Sequence, residues 1–324
     1  MKVFITREIP LVGLAKFKEA DITFIQWHEK RELTPAELIE QCLTCDALLS
    51  AGYNKLDKGF LNACKHLKVI ALHSVGFDNV DVPEASRLKI PVGNTPGIVS
   101  GATADTAFLL MLAASRKAFY LHKKIINEGW SFFEPNANLG LELNGKTLGI
   151  FGLGKIGFEM AKRCKGAYDM RIIYHNRHKN ELAEKELGAE WVSFDDLLAR
   201  SDVVSVHSNL SPQTRGIFNK DAFSKMKRKA IFINTARGGI HNEADLINAL
   251  ENKLIWGAGL DVTNPEPMQK NNRLLSMPTV AVLPHIGTAT DTTRNAMSEM
   301  AAENIIAGLS GRKIPFPVNP EIYQ

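Results

Sequence analysis

Two stretches of this chain alternate short apolar runs with amphipathic segments of helical length, and that alternation restricts the fold more than any other feature of the sequence. In the first stretch the runs lie at 2–6, 22–26, 47–50 and 69–73, separated by helical segments such as 11–19, 36–41 and 56–64. In the second they lie at 147–151, 171–174, 203–207, 230–234, 258–261 and 280–283. Regular strand–helix alternation predicts an α/β fold with doubly wound parallel sheets, and continuously apolar strands suit burial on both faces. A long, largely apolar helical stretch at 102–126 separates the two series, and another at 291–309 precedes a tail bearing Pro315, Pro317 and Pro320. A long helix on each side of one α/β series predicts two crossings between domains. A first domain of residues 1–98 and 289–324 then carries a second, residues 99–288, inserted in it.

Composition removes several function classes. With 45% apolar and 23% charged residues the chain is globular rather than disordered. Its net charge of +4, spread over 324 residues, is no concentrated basic face, so no nucleic-acid partner is expected. The longest apolar run, 107–114, falls far short of the roughly 20 residues that span a bilayer, so no membrane partner is expected either. The opening MKVFITREIP reads as a first strand, without the apolar core of a signal peptide. Four cysteines (Cys42, Cys45, Cys64, Cys164) show no framework spacing, and a reducing cytoplasm is the expected location. Cys42-Leu-Thr-Cys45 is formally C-x-x-C, but Thr34-Pro35-Ala36-Glu37 looks like the start of the helix that these cysteines end. A redox motif would open a helix, and no second pair completes a metal site, so plain structural thiols and no metal are expected.

Gly152-Leu-Gly154-Lys-Ile-Gly157 follows the run at 147–151 and opens a helical stretch. In that context the first glycine permits a tight turn, the second lets backbone approach a pyrophosphate, and the third packs helix on strand. The N–H groups at Lys155, Ile156 and Gly157 and the helix dipole favour the anion. The inserted domain is therefore expected to be a Rossmann-type nucleotide domain. An NAD site carries an acid after the next strand. Here Tyr174-His175-Asn176-Arg177-His178-Lys179 has none. A 2′-phosphate needs donors and positive charge, so Asn176 and Arg177 predict a preference for NADP(H), with NAD(H) the alternative. The bland reading of the same run is a solvated basic turn.

Three patterns lie at the ends of successive strands of the second series: Asn234-Thr235-Ala236-Arg237-Gly238-Gly239, Gly259-Leu260-Asp261 through Glu266-Pro267, and Pro284-His285-Ile286-Gly287. Loops at the carboxyl ends of such strands converge on one crevice. The residue types suit reduction of a carbonyl by hydride. Arg237 holds a carboxylate or ketone oxygen and polarises it. His285 protonates the developing alkoxide, and Glu266 pairs with His285 to favour the imidazolium. Singly, each has a plain structural reading: a surface ion pair, a histidine at a strand end, a loop former. Asp261 likewise reads as a loop cap.

Together with Ser74-Val-Gly-Phe-Asp-Asn-Val-Asp81, Asn94-Thr-Pro-Gly97 and Ala102-Thr-Ala-Asp105, these patterns resemble the D-isomer-specific 2-hydroxyacid dehydrogenase family. Gly259 to Gly311 looks most like its glyoxylate reductase/hydroxypyruvate reductase branch. The resemblance implies a flavodoxin-like substrate domain built from both termini, and a homodimer formed largely through the nucleotide domains. It places Arg237, Glu266 and His285 at the catalytic positions and the backbone of Val75 and Gly76 on the substrate carboxylate. It places Thr103, Thr235, Asp261 and Gly287 among the cofactor contacts, the last three at the nicotinamide end, with Asn209 along the nucleotide. The implied activity is reduction of a small 2-oxo acid, glyoxylate or hydroxypyruvate. A 2-ketogluconate-type reductase and a non-enzymatic nucleotide-sensing corepressor are the alternatives. Trp130, Phe132 and Phe133, in the connector before Lys146, are expected to pack internally or at an interface.

Overall fold

A computed structural model describes residues 1–324. The chain divides into two compact units, Met1–Val99 with Ala289–Gln324, and Ser100–Thr288.

The first unit is built on five parallel strands: β1 (Lys2–Ile5), β2 (Thr23–Gln26), β3 (Ala47–Ser50), β4 (Val69–Leu72) and β5 (Val92–Gly93), in the order β2-β1-β3-β4-β5. Successive side chains point to opposite faces. Val3, Ile5 and Leu49 therefore pack with Phe17, Ala301 and Ile305, while Phe4, Leu48 and Ile70 pack with Leu38, Phe60 and Leu61 on the other face. β3 and β4 are buried throughout; β2, at the edge, alternates exposed and half-buried residues, unlike the continuous burial expected of every strand. Thr34 and Glu37 form a full capping box ahead of the helix Pro35–Leu43. That helix ends at the cysteine pair, and all four cysteines are free and buried. The helix expected at 56–64 is shorter, Lys58–Ala63, because Asp57 accepts the Phe60 N–H as its cap while Leu56 bridges to Val80.

The second unit holds seven parallel strands: β6 (Thr147–Phe151), β7 (Arg171–His175), β8 (Glu190–Trp191), β9 (Val203–Val206), β10 (Ile231–Asn234), β11 (Gly257–Leu260) and β12 (Val280–Val282), in the order β12-β11-β10-β9-β6-β7-β8. The chain runs outward from β6 to β8 and then crosses to β9 on the other side of β6. The switch in strand order thus lies beside the glycine loop. The stretch expected as one helix at 102–126 is two, Ser100–Arg116 and Ala118–Glu128, broken at Lys117 with φ of 57°. The break coincides with a change of environment. The first helix buries Ala107, Leu110 and Met111, and the carbonyls of Ala114 and Ser115 near its end accept from Trp256 and Leu141. The second helix has no fully buried residue, and Phe119 in its first turn packs half-buried against the core. Trp130, Phe132 and Phe133 beyond it are 76%, 67% and 77% exposed, so they do not pack internally. No helix is long and apolar enough to cross a membrane.

Candidate active site

The glycine loop leaves β6 at Phe151. Gly152 has φ of 95°, and a Cβ there would lie 2.6 Å from the Ser208 backbone nitrogen. At Gly157 a Cβ would meet the Gly152 carbonyl oxygen at 2.8 Å, and at Gly154 it would enter open space. The first and third glycines are therefore demanded by the fold itself, whereas the second is demanded by nothing inside the chain. The helix Lys155–Tyr168 starts at Gly154 without any side-chain cap, so its first N–H groups keep their donor capacity. Leu153, between the glycines, is clamped. Its N–H donates to Asn176 Oδ1 at 2.6 Å, and its carbonyl accepts from Asn176 Nδ2 at 3.2 Å and Asn180 Nδ2 at 2.9 Å.

Asn176 thus braces the loop with the amide that the sequence suggested for a ligand. Asn180 was not singled out, although it also caps the helix Glu181–Leu187, and its place before an acidic first turn is the signal that marks it. His175, where an acid would stand for NAD, bonds the Val192 carbonyl at 3.0 Å and stacks on Phe151. Arg177, His178 and Lys179 are exposed beyond it. Along the carboxyl edge of the sheet, Ser208 Oγ after β9 and Thr235 Oγ1 after β10 are buried without a partner. Asn209 is exposed, its carbonyl accepting from Thr214. A glycine cradle, an uncapped helix start and orphaned hydroxyls along the same sheet edge fit a dinucleotide.

Beyond β11 and β12 the expected catalytic residues converge. His285 Nδ1 is hydrogen-bonded to Glu266 Oε1. His285 has φ of 55°, a left-handed conformation uncommon outside glycine. The two residues that follow are fixed by Asp261, whose carboxylate accepts from Ile286 N at 2.8 Å and Gly287 N at 2.7 Å. Asp261 therefore grips the histidine loop rather than capping the Glu266 loop. Burial pushes its carboxyl up, although the two N–H groups pull the other way. Burial also opposes ionisation of Glu266, but the His285 hydrogen bond, the His285 charge, the Thr263 N–H and Arg237 outweigh it and hold the carboxyl below the usual range. Arg237 leaves β10 in extended conformation. The turn it begins touches the Glu266 loop, because a Cβ on Gly238 would lie 1.9 Å from the Thr263 carbonyl oxygen. Thr103, on the helix Ser100–Arg116, adjoins Gly287: a Cβ built there would be 3.4 Å from the Thr103 methyl.

Within the first unit, Val75 and Gly76 follow β4. The Val75 carbonyl accepts from Asn94 Nδ2 at 2.8 Å and the Gly76 carbonyl from Ser74 Oγ at 2.8 Å, while neither N–H takes part in a hydrogen bond within the unit.

Residues 108–287 match the family model for the D-isomer specific 2-hydroxyacid dehydrogenase NAD binding domain. The chain is 39% identical to a glyoxylate reductase of Korarchaeum cryptofilum, over 99% of its own length and 96% of the relative's. It is 40% identical to the human glyoxylate reductase/hydroxypyruvate reductase, over 97% of each chain. Among solved structures it superposes with a TM-score of 0.84 on the NADPH-dependent glyoxylate/hydroxypyruvate reductase SmGhrB of Sinorhizobium meliloti, determined with NADP and malonate. The two are 31% identical, with 98% of this chain and 97% of that chain covered. Motifs, fold and relatives agree, and the chain belongs to the D-isomer-specific 2-hydroxyacid dehydrogenase family of NAD(P)-dependent oxidoreductases.

Proposed function

We propose that this protein reduces a small 2-oxo acid, glyoxylate or hydroxypyruvate, to the D-2-hydroxy acid, with NADPH preferred. The observation that carries the reading is the His285–Glu266 pair, set on loops that Asp261 and Gly238 tie to their neighbours. His285 is the general acid. Glu266 occupies Nδ1 and orients the ring, so Nε2 is the atom of the imidazolium that gives its proton to the new alkoxide. Arg237 binds the substrate carboxylate or ketone oxygen and polarises the carbonyl. The N–H groups of Val75 and Gly76 hold the carboxylate.

A bound dihydronicotinamide supplies the hydride. Gly152, Gly154, Lys155, Ile156 and Gly157 would hold its pyrophosphate, with Asn209 along the nucleotide and Thr103, Thr235, Asp261 and Gly287 toward the nicotinamide. The exposed Arg177 beside Asn176, with no carboxylate at the end of β7, supports the 2′-phosphate and hence NADP(H) over NAD(H). The relatives named glyoxylate and hydroxypyruvate reductases support the substrate. A panel of 2-oxo acids run with NADPH and with NADH tests both parts. Glyoxylate or hydroxypyruvate is expected to give the highest kcat/KM, with NADPH favoured. A clear NADH preference overturns the cofactor assignment, and no turnover of any 2-oxo acid overturns the activity.

Exposed Ile125, Ile126, Trp130, Phe132, Phe133 and Leu139 form an apolar tract that supports a homodimer through the second unit. A light-scattering mass of one chain, 35.8 kDa, would exclude it. Four free, buried thiols suit the cytoplasm.

A further inference from the structure

The last residue of β10, Asn234, is completely buried, and both polar atoms of its side-chain amide are hydrogen-bonded. Oδ1 accepts from the Ala236 N–H at 3.0 Å. Nδ2 donates to the Arg237 carbonyl at 2.9 Å and meets His241 Nδ1 at 3.0 Å. The backbone fixes this orientation: turned over, the amide would set nitrogen against an N–H and oxygen against a carbonyl. Both hydrogens of Nδ2 are therefore committed, and His241 Nδ1 must be the acceptor. His241, itself 2% exposed, is then a neutral ring with its proton on Nε2, an atom buried without a partner. Burial supports that state by pushing the ring's pKa down to about 4. The same turn is closed by Ile240 N–H on the Arg237 carbonyl and His241 N–H on the Gly238 carbonyl, each at 3.2 Å. His241 lies edge-on to Phe232 of the same strand.

We propose that Asn234 and His241 are positioning residues for Arg237: the histidine, as an obligatory acceptor, locks the asparagine amide, and the amide sets the backbone from which the guanidinium departs. The inference rests on Arg237 as the substrate-binding residue. A side chain that must meet a small 2-oxo acid is sensitive to where its backbone starts, and displacement by about 1 Å is enough to lose about 100-fold in rate. Neither residue needs to touch the substrate.

The test compares His241→Leu, which removes the acceptor, with His241→Gln, which can restore one, and with Asn234→Asp, which removes the donor. Each is measured for kcat and KM toward glyoxylate, for NADPH affinity by fluorescence, and for Tm. His241→Leu is expected to lower kcat/KM by about 10- to 100-fold, mostly through KM, with NADPH affinity within about twofold, and His241→Gln to recover most of the loss. In an Arg237→Gln background, His241→Leu should add almost nothing, since its effect passes through the arginine. An unchanged kcat/KM in His241→Leu, an equal loss in the Arg237→Gln background, or a parallel loss of NADPH affinity overturns the proposal. Should the leucine variant not fold, Asn234→Asp decides by the same criteria. Failure of the parent reading looks different: Arg237→Gln alone would then leave kcat/KM intact.

Discussion

The two units share one plan and use its first turn in opposite ways. In each, the strand order reverses beside the first strand, between β1 and β3 in one and between β6 and β9 in the other, where doubly wound sheets offer a crevice. The first unit closes that point with its own polar groups. Thr6, fully buried, donates to the Ala51 carbonyl at 2.7 Å and accepts from Ala51 N at 2.9 Å and Asn54 Nδ2 at 3.0 Å. The helix that follows has no side-chain cap in either unit, but the second unit has glycines at the turn and orphaned hydroxyls nearby. Topology supplies a place for a ligand, and the turn chemistry decides whether that place is used for binding or for cohesion.

The largest expected effect separates chemistry from cradle. His285→Gln should lower reduction at least about 100-fold while NADPH still binds, because only the proton donor is lost. Unchanged turnover would remove His285 from the reaction. Next, Gly154→Ala meets no atom of the chain within 4 Å, so its Tm should match the parent. Its NADPH Kd should rise about tenfold, or about 1.4 kcal/mol, because backbone close to a pyrophosphate leaves no room for a methyl. Equal NADPH affinity would make the second glycine as internal in purpose as Thr6.

Thr6→Val makes the converse test: stranding buried groups on Ala51 and Asn54 should destabilise the first unit by about 1–3 kcal/mol, read as a lower Tm, with NADPH Kd unchanged. The comparison extends to acid sensitivity. His73 in the first unit is pushed down to about 4 by burial and then by the Arg294 charge, and His241 in the second by burial alone. Both are neutral in the folded chain, while the unfolded chain protonates near 6.5. The stability they confer is full above that value and is lost as pH falls from 6.5 toward 4, at up to about 1.4 kcal/mol per pH unit for each ring. His241→Gln should flatten the fall in thermal midpoint between pH 6.5 and 5. An equally steep fall would show that this ring does not carry the linkage.

What could be read from the sequence was local or periodic. The capping box at Thr34 and Glu37 is a four-residue signal, and the alternation of β3, β4, β9 and β10 with helices is carried by runs of buried residues. β5 and β8, two residues each, are too short to show a period. The break at Lys117 has no glycine or proline to announce it; it depends on donors from Trp256 and Leu141, distant in sequence. The site divides in the same way. The three strand-end patterns and the glycine spacing were legible. The clamp of Asn176 and Asn180 on Leu153 joins residues whose proximity only the folded sheet creates, and that of Asn234 on His241 depends on how the turn between them closes.

The helix Asp291–Leu309 belongs to the first unit, and it lies so close that a Cβ on Gly308 would sit 2.5 Å from Val69 Cβ and one on Gly13 2.8 Å from the Ser298 carbonyl oxygen. During synthesis the inserted unit, continuous in sequence, is therefore the first to have all its parts. The residues made earliest must wait for those made last. Until then β1, β3 and β4 present to the cell the apolar face that Ala301 and Ile305 will cover. The length of that wait, set by translation of the intervening chain, is the interval in which a nascent molecule most needs a chaperone.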